Sequence, residues 1–244
     1  MTIAKSILGR IFALWALLIF LPTMLIAFVL IAATFLWKDP TRTRLFQQVA
    51  RVWMRIFFFF TGIRLRIKGK EHFKKGETYV VICNHSSFMD IPITTPFIPG
   101  ANKTIAKKEM ASIPLFGMIY KTGSVLVDRK SEESRKASLG LMKEVLYMGL
   151  HMCIYPEGTR NKTNQPLQAF HNGAFRLSID TNKSILPTVI FNTAKVLPVG
   201  KPFFFWPVKI RMEFLEAIPP QGKTVDQLKQ EAFEKMKEYY TVHS

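Results

Sequence analysis

The 244-residue sequence predicts an α/β fold with a mostly parallel central sheet flanked by helices, preceded by an N-terminal membrane-associated helical segment. Three observations support this prediction. Short, continuous apolar runs are typical of strands buried on both faces, helical stretches separate these runs, and a long uncharged run lies near the N-terminus. We therefore expect two parts, an anchor over residues 1–61 and a larger domain over residues 62–244.

The N-terminal anchor is predicted from an uncharged run between Ile11 and Trp37. This run exceeds the about 7–15 apolar residues of a signal peptide, and one straight helix of this length would exceed the about 30 Å of a bilayer core. Pro22 could instead break it into two shorter helices. Because Lys5 and Arg10 precede the run and further basic residues follow it, the positive-inside rule gives no clear orientation. A tilted single span and a hairpin that enters and leaves on the cytoplasmic side both fit, and we favour the hairpin.

An amphipathic helix is predicted directly after this run. Apolar residues recur at spacings of three and four, and arginines suited to anionic headgroups lie elsewhere on the helix. The apolar positions are Leu45, Val49, Val52, Trp53, Ile56 and Phe60. A solvated basic face is the alternative interpretation of these charges.

The charge of the whole chain bears on its partners. The sequence has 34 Lys+Arg against 17 Asp+Glu, which gives a formal net charge of +17. Nucleic-acid binding is one explanation for such a charge. No helix-turn-helix, zinc-finger or aromatic RNA-binding pattern accompanies it, so we expect membrane lipids as partners and no nucleic acid.

The larger domain shows a regular alternation of strand and helix signals. Alternating apolar and charged residues predict half-exposed strands over 63–68 and 208–214. Continuous apolar runs predict central strands at Tyr79–Cys83, Val125–Val127, Met152–Tyr155 and Ile185–Ile190. Helices are predicted over Ser131–Met148, with Ser131 as the N-cap, and from about Thr224 to Tyr240.

The two cysteines, Cys83 and Cys153, both lie inside apolar runs. This placement excludes a secreted disulfide scaffold and indicates buried thiols in a reducing compartment. No Cys or His spacing matches a zinc or haem motif, so we expect no metal.

Two polar clusters directly follow predicted buried strands. Asn84–Asp90 follows the strand that ends at Cys83, and Glu157–Arg160 follows the strand that ends at Tyr155. Ligands of open α/β sheets bind beyond the carboxyl ends of the strands, so we expect both clusters to face one cleft.

The first cluster contains a candidate general base. His85 and Asp90 can pair if His85 lies in a loop and Asp90 in the first turn of the next helix. A carboxylate on Nδ1 would fix the tautomer and leave Nε2 free to accept a proton. The alternative is a loop histidine followed by an aspartate that only begins a helix. Ser86 and Ser87 lack the Gly-x-Ser-x-Gly elbow of a nucleophile, so capping is the expected role of both.

The second cluster contains a candidate anion contact. Arg160 follows the small residues Gly158 and Thr159 at a strand end, where a guanidinium can bind a phosphate through two parallel hydrogen bonds. A surface turn is the alternative interpretation of this tetrapeptide.

The sequence resembles the glycerolipid acyltransferase family through four ordered blocks. NHSSFMD (84–90) resembles the family's N-H-x(4)-D block, and YPEGTR (155–160) resembles its F-P-E-G-T-R block. The second block is similar to residues 106–117 together with 127–129, and the fourth block is similar to residues 185–189. Within the family, the bacterial 1-acyl-glycerol-3-phosphate acyltransferase type is the most similar. Phe170–Gly173 reads FHNG, where the family commonly has F-K-x-G, which leaves the acceptor headgroup and acyl preference open.

The resemblance implies an enzyme of phospholipid biosynthesis at the cell membrane, with its catalytic domain (62–244) on the cytoplasmic side. It would transfer an acyl chain from acyl-CoA or acyl carrier protein to the sn-2 hydroxyl of lysophosphatidate, without a cofactor beyond the acyl carrier. The implied roles are a base for His85, its orientation for Asp90, and binding of the acceptor and its phosphate for Glu157, Gly158, Thr159 and Arg160 with Lys107 or Lys108.

Three other functions remain compatible with the sequence. The first is a sibling acyltransferase that uses glycerol 3-phosphate, another lysophospholipid or an ornithine-type lipid. The second is a membrane-bound hydrolase in which His85 activates water. The third is a basic membrane scaffold without chemistry, which would keep its function after His85→Ala.

Overall fold

The computed structural model describes residues 3–128, 131–163 and 165–244, and Arg129, the last residue of the second similar block, lies outside them. The described residues form an α/β fold. The strands are β1 (Arg64–Lys68), β2 (Val80–Cys83), β3 (Asn102–Lys107), β4 (Ser124–Val127), β5 (His151–Ile154), β6 (Ile185–Phe191) and β7 (Lys209–Phe214). The helices are α1 (Ile3–Ala33), α2 (Thr41–Thr61), α3 (Asp90–Phe97), α4 (Phe116–Gly123), α5 (Glu132–Tyr147), α6 (Gly173–Thr181), α7 (Thr193–Val196) and α8 (Val225–His243).

The strands of the described residues form one seven-stranded sheet in the order β1-β7-β6-β2-β5-β3-β4. The strands from β6 to β4 run parallel to one another, and β7 pairs with β6 antiparallel. β1 is parallel to β7 and therefore antiparallel to the central strands. The predicted mostly parallel sheet is confirmed.

The central strands are buried on both faces, as their continuous apolar sequences predict. In β2, Val80 and Ile82 contribute to a core formed with α5, α6 and α8. Val81 and Cys83 point to the opposite side, into a core that includes residues of α1, α2 and α3. The free thiols of Cys83 and Cys153 are buried together on this second side, with their Sγ atoms 3.9 Å apart.

β3 was not predicted, because its first half is polar. Asn102, Lys103 and Thr104 are nevertheless buried in the sheet. The Lys103 ammonium lies 2.8 Å from Oδ2 of Asp39, and the Asn102 amide donates to the carbonyl of Thr95. These partners compensate the burial of the Lys103 ammonium and of the Asn102 amide N–H, and no local sequence pattern indicates the contact between Lys103 and Asp39.

The predicted helix starts agree with the structure. Ser131 is the N-cap of α5 and accepts the Ser134 N–H, and Thr224 forms a capping box with Gln227 at the start of α8. α8 continues past the predicted end at Tyr240 to His243.

The suggested break at Pro22 is wrong, because α1 runs through this residue as one helix. The hydroxyl of the next residue, Thr23, bonds back to the carbonyl of Ile19, so this polar side chain is satisfied within the helix. The chain reverses after the short 3₁₀ turn Thr34–Leu36, and α2 then packs against α1. A helical hairpin is therefore present, with its turn near residues 37–40 and not at Pro22.

α2 is the predicted amphipathic helix, but it has two apolar faces. One face, which includes Phe46, Met54 and Phe57, is buried against the rest of the protein. The other face exposes large apolar side chains, namely Val52, Ile56, Phe59 and Phe60.

α1 is left largely uncovered by the rest of the protein. Its buried residues form a narrow stripe of mostly small side chains, which includes Gly9, Ala16 and Ala27. Large apolar residues are exposed along its other sides, for example Leu14, Ile26 and Leu30. Within the described residues, Ile3–Leu36 is the one helical segment long and apolar enough to cross a membrane.

Candidate functional site

The structure brings the two polar clusters together at one edge of the sheet. β2 and β5 are neighbouring parallel strands, so their carboxyl ends and the loops that follow them lie side by side. The His85 N–H donates to Oε1 of Glu157 at 2.7 Å, and the Asn161 N–H donates to the His85 carbonyl at 2.6 Å. The two loops therefore form one cleft.

His85 and Asp90 form a hydrogen-bonded pair. Asp90 is the first residue of α3, and its Oδ2 lies 2.8 Å from Nδ1 of His85. The same oxygen accepts the backbone N–H groups of Ser86 and Ser87 at 2.7 and 2.8 Å. Asp90 is fully buried, so these bonds hold its carboxylate in one position and leave Nε2 as the remaining ring nitrogen of His85.

The two serine hydroxyls of the first loop stabilise the loop. Oγ of Ser86 lies 3.0 Å from Oγ1 of Thr193, at the start of α7. Oγ of Ser87 donates to the Leu197 carbonyl and accepts the Met89 N–H. The expected capping role is not observed, because α3 has Met89 as its N-cap without a side-chain cap bond, and the serine hydroxyls instead tie the loop to Thr193 and Leu197.

Tyr155 supports the His85 ring, and the sequence analysis did not select it. The two rings stack with their centroids 4.3 Å apart, and the Tyr155 hydroxyl lies 2.7 Å from Oγ1 of Thr94. Burial raises the pKa of the Tyr155 phenol well above its ordinary value, so the hydroxyl stays neutral. Its place directly before the Pro156–Arg160 run was the available sequence signal.

Glu157 is buried below the cleft, and both of its carboxylate oxygens are occupied. Oε1 accepts the His85 N–H, and Oε2 accepts the Gln168 N–H at 3.0 Å. Burial raises the pKa of Glu157 to about 6, although the two backbone donors favour the ionised form and partly oppose this shift. With 3% of its surface exposed, the carboxylate does not line the cleft in the way that the expected contact with an acceptor requires.

Gly158 gives the second loop its sharp turn. Its φ of +71° lies in the left-handed region that favours glycine, and a Cβ there would approach Cδ2 of His171 to 2.9 Å. The ring of His171, the residue that departs from the family pattern, therefore packs directly against this loop. The following residue, Thr159, is exposed beside the cleft.

Arg160 lies at the mouth of an apolar cavity of about 710 Å³. Its guanidinium carbon is 3.8 Å from the centroid of the Phe88 ring, a cation–π contact that links the second loop to the first. The cavity is lined mainly by side chains of α1, α2 and the loop 197–205, which include Ala13, Phe20, Phe57 and Phe203. No sequence pattern had indicated the contribution of the loop 197–205.

Lys107 and Lys108 lie at the same edge of the sheet, one strand further along. Lys107 is the last residue of β3, which pairs with β5, and Lys108 begins the 3₁₀ turn that follows. Both residues are exposed. Their position is compatible with the predicted role in binding an anion next to Arg160.

No cluster that could hold a metal ion occurs in the part of the chain that the structure describes. There, no three His, Cys, Asp or Glu side chains are grouped as ligands.

Comparison with known proteins agrees with the site. The family model described as Acyltransferase matches residues 64–191, which include β1, β2, the dyad, the Glu157–Arg160 loop and β6. The solved structure of the 1-acyl-sn-glycerophosphate acyltransferase PlsC from Thermotoga maritima has the same fold, with a TM-score of 0.83 and 21% identity over 98% of this chain and 97% of that one.

Two relatives are similar in sequence over most of this chain. The 1-acyl-sn-glycerol-3-phosphate acyltransferase of Helicobacter pylori is 31% identical over 188 residues, which are 77% of this chain and 77% of that protein. The human 1-acyl-sn-glycerol-3-phosphate acyltransferase beta is 29% identical over 173 residues, which are 70% of this chain and 62% of the human protein. Since the family match includes both loops that form the cleft, the chain belongs to the acyltransferase family.

Proposed function

We propose that this acyltransferase transfers an acyl chain from a thioester to the sn-2 hydroxyl of lysophosphatidate and so makes phosphatidate. The observation that carries the proposal is the position of the His85–Asp90 pair. The pair belongs to the loop that carries Phe88, whose ring contacts the cation Arg160, and Phe88 and Arg160 both line the apolar cavity next to the hydrophobic helices. A lysophosphatidate molecule has the matching parts, a phosphate, a free hydroxyl and an acyl chain.

In the proposed reaction, Nε2 of His85 takes the proton from the acceptor hydroxyl as its oxygen attacks the thioester carbonyl. The C–S bond then breaks, and the leaving thiolate recovers the proton from His85. Asp90 keeps the proton on Nδ1, because its carboxylate accepts from that nitrogen at 2.8 Å. The acceptor is itself the nucleophile, so no acyl-enzyme forms.

Two further residues position the base in this proposal. Tyr155 stacks on the imidazole, and Glu157 holds the backbone of His85. We assign Glu157 a positioning role in place of the expected acceptor contact, because both of its oxygens are already bonded to backbone N–H groups.

The acceptor phosphate is assigned to Arg160, with Lys107 or Lys108 as additional cations. Arg160 can present two parallel donors to a phosphate, in a geometry that the lysine side chain lacks. Gly158 and Thr159 keep the loop narrow at this point, which lets the acceptor approach the Arg160 side chain. His171 lies against the same loop, next to Gly158.

The lipid chain of a substrate is assigned to the cavity between α1, α2 and the loop 197–205. Its Phe-rich lining offers apolar contact next to Arg160. The uncovered faces of α1 and α2 would place this opening at a membrane, with the catalytic loops on the cytoplasmic side, where acyl thioesters occur. Acyl-CoA and acyl carrier protein are both anionic donors that a chain with a net charge of +17 would attract. No cofactor takes part in this scheme beyond the acyl carrier.

The test is a reaction of the purified full chain with acyl-CoA or acyl carrier protein donors and a panel of acceptors, read by product mass. We expect phosphatidate from lysophosphatidate, and about 10²–10⁴-fold slower product formation by the His85→Ala variant. Acylation of another lysolipid or of glycerol 3-phosphate in preference would identify a sibling activity. Loss of the thioester without any acceptor would instead identify a hydrolase.

A further inference from the structure

A second cavity lies away from the catalytic cleft and is lined by three cations. It has a volume of about 650 Å³, and Arg51 and Arg55 of α2 and Lys70 after β1 contribute to its wall. Its other lining residues are apolar or glycine, so no acidic side chain faces the cations from the described residues of the wall. None of the ion pairs among the described residues includes any of the three.

Arg51 is held in place by backbone groups and not by a counter-ion. Its Nε donates to the carbonyl of Pro96 at 2.7 Å, which fixes the side chain against the end of α3. Burial, together with the nearby charge of Arg55, lowers the pKa of Arg51. Two positive charges thus lie one helical turn apart on α2 without a negative partner, an arrangement that an anion would stabilise.

The remaining walls are suited to a hydrocarbon chain. Phe58, Leu65, Ile67 and Phe97 line the cavity below the cations. Phe59, which is 79% exposed, lies at its border and belongs to the exposed apolar face of α2. The cavity is therefore continuous with the surface that we assign to the membrane.

The cavity lies at the other end of the sheet from His85. Pro99 and Gly100, which line it, lie shortly before β3, and Lys70 follows the end of β1. β1 is antiparallel to the central strands, so its end lies beside the amino-terminal ends of those strands. All three residues therefore lie at the side of the sheet where the central strands begin. His85 and Arg160 follow the carboxyl ends of β2 and β5. A ligand in this cavity would be distinct from the substrates.

We propose that this cavity binds one anionic diacyl phospholipid from the surrounding membrane, with its phosphate on Arg51, Arg55 and Lys70 and an acyl chain along the aromatic wall. The joint presence of unpaired cations and an apolar wall open to the membrane face favours a lipid over a soluble phosphate, because a soluble phosphate would leave the apolar wall unused. Cations at a membrane surface attract anionic headgroups in general. The cavity adds a defined position for one such lipid.

The test uses the full chain in nanodiscs of phosphatidylcholine with and without phosphatidylglycerol, followed by native mass spectrometry of the lipids that stay bound. We expect retention of one phosphatidylglycerol molecule. The double variant Arg55→Gln/Lys70→Gln should weaken this retention by at least about tenfold, and Arg55→Lys/Lys70→Arg should restore most of it. Arg51 is left unchanged, because its bond to Pro96 contributes to folding.

The matched control is Arg44→Gln/Lys75→Gln, which removes the same charge from exposed positions of α2 and the β1–β2 connection outside the cavity. It should bind phosphatidylglycerol as the unchanged protein does. Equal losses in both double variants, or full retention in Arg55→Gln/Lys70→Gln, would overturn the proposal. Displacement of the lipid by soluble glycerol 3-phosphate would also overturn it, in favour of a soluble ligand.

The binding measurement needs no turnover, so it is independent of the proposed reaction. In neutral detergent, the acyl transfer rate of Arg55→Gln/Lys70→Gln should equal that of the unchanged protein. A normal rate with lost lipid retention therefore supports the second site, whereas absent acyl transfer in the unchanged protein would contradict only the proposed function.

Discussion

The backbone N–H of His85 donates to Oε1 of Glu157 at 2.7 Å, so the loop after β5 holds the residue that we assign as the base in the loop after β2. The other oxygen of Glu157 accepts the Gln168 N–H, from a segment further along the chain. One buried carboxylate therefore connects three pieces of backbone. This arrangement gives a physical reason for a glutamate at this position that does not depend on contact with a substrate.

Glu157→Gln should lower kcat by about 10–100-fold, because a small displacement of a catalytic group is costly. The amide nitrogen cannot accept a hydrogen bond, so one backbone N–H would lose its partner, at a cost of about 1–3 kcal/mol in unfolding free energy. The measurements are steady-state kinetics and thermal unfolding. Glu109→Gln, at an exposed position near the same sheet edge, is the control. A raised KM for lysophosphatidate at unchanged kcat would contradict the positioning role.

The His85–Asp90 pair should be indispensable for turnover. His85→Ala removes the base, and Asp90→Asn removes the negative charge beside Nδ1 that stabilises the His85 ring once it has taken up a proton. We expect turnover to fall by about 10²–10⁴-fold in each variant, the usual contribution of positioned proton transfer. Asp226→Asn changes an exposed aspartate of α8 and should have no effect. Near-normal turnover of a folded His85→Ala protein would exclude this mechanism.

Arg160→Ala should raise the KM for lysophosphatidate by at least about tenfold, since hydrogen bonds to charged groups contribute about 1.5–3 kcal/mol each. Arg160→Lys should retain only part of the affinity, because it keeps the charge and loses the planar fork. The comparison substrate is a lysolipid without a terminal phosphate monoester, and Lys162→Ala is the control two residues away. An equal effect on both substrates, with a lower melting temperature, would show that Arg160 only stabilises the loop through Phe88.

The parts of this molecule that could be predicted from the sequence are those with a local signal. The buried strands β2, β5 and β6 are continuous apolar runs, and the helix starts at Ser131 and Thr224 have N-cap residues. The His85–Asp90 pairing was also predictable, because a loop and one helical turn suffice to bring the two residues together.

Features that depend on long-range contacts were not predictable in the same way. β3 is polar at its start and is stabilised through Asp39, which lies 64 residues away from Lys103 in the sequence. A break of α1 at Pro22 was one of the alternatives, but the helix continues through this residue and packs against α2, and membrane helices tolerate proline in this way. Residues 197–205 form part of the wall of the apolar cavity next to Arg160. No sequence motif indicates this, because it depends on where the helical hairpin of α1 and α2 packs.

The exposed face of α1 should determine membrane association. Ile26→Asp/Leu30→Asp places two charges on side chains that are 64% and 52% exposed. Each should cost about 2.5–3.5 kcal/mol within a bilayer, while the fold in detergent should be unaffected. Vesicle flotation measures the bound fraction, and Leu141→Asp, at an exposed leucine of α5, is the control. Unchanged flotation of the α1 variant would contradict the assignment of this face to the membrane.

His151 should make the protein sensitive to acid. The residue is buried in β5, where Nδ1 accepts the Tyr79 N–H at 3.1 Å and the ring also bonds to the Pro99 carbonyl. Burial lowers the pKa of His151 to about 4, and the bond to Pro99 only partly opposes this shift. Protonation would also direct an Nδ1–H group at the Tyr79 N–H, so the charged ring does not fit the folded state.

The direction in which pH changes the stability follows from which state of the chain, folded or unfolded, binds the proton. Between the ordinary histidine pKa of 6.5 and about 4, the unfolded chain takes up a proton that the folded chain does not. The free energy of unfolding should therefore be unaffected by His151 above this window and should fall as the pH decreases through it, by at most about 3 kcal/mol. In a chain of this size that loss corresponds to a melting temperature lower by about 2–4 °C per kcal/mol.

The measurement is the melting temperature of the detergent-solubilised protein at about pH 7 and about pH 5, compared with His151→Asn. Asparagine keeps an acceptor near the position of Nδ1 but cannot be protonated. The variant should be less stable at neutral pH, because it loses the bond to Pro99, and its melting temperature should change less between the two pH values. Glu157, whose pKa burial raises, contributes with the opposite sign in both proteins, so the difference between them isolates His151. An equal acid-induced decrease in both would show that other groups cause the acid sensitivity.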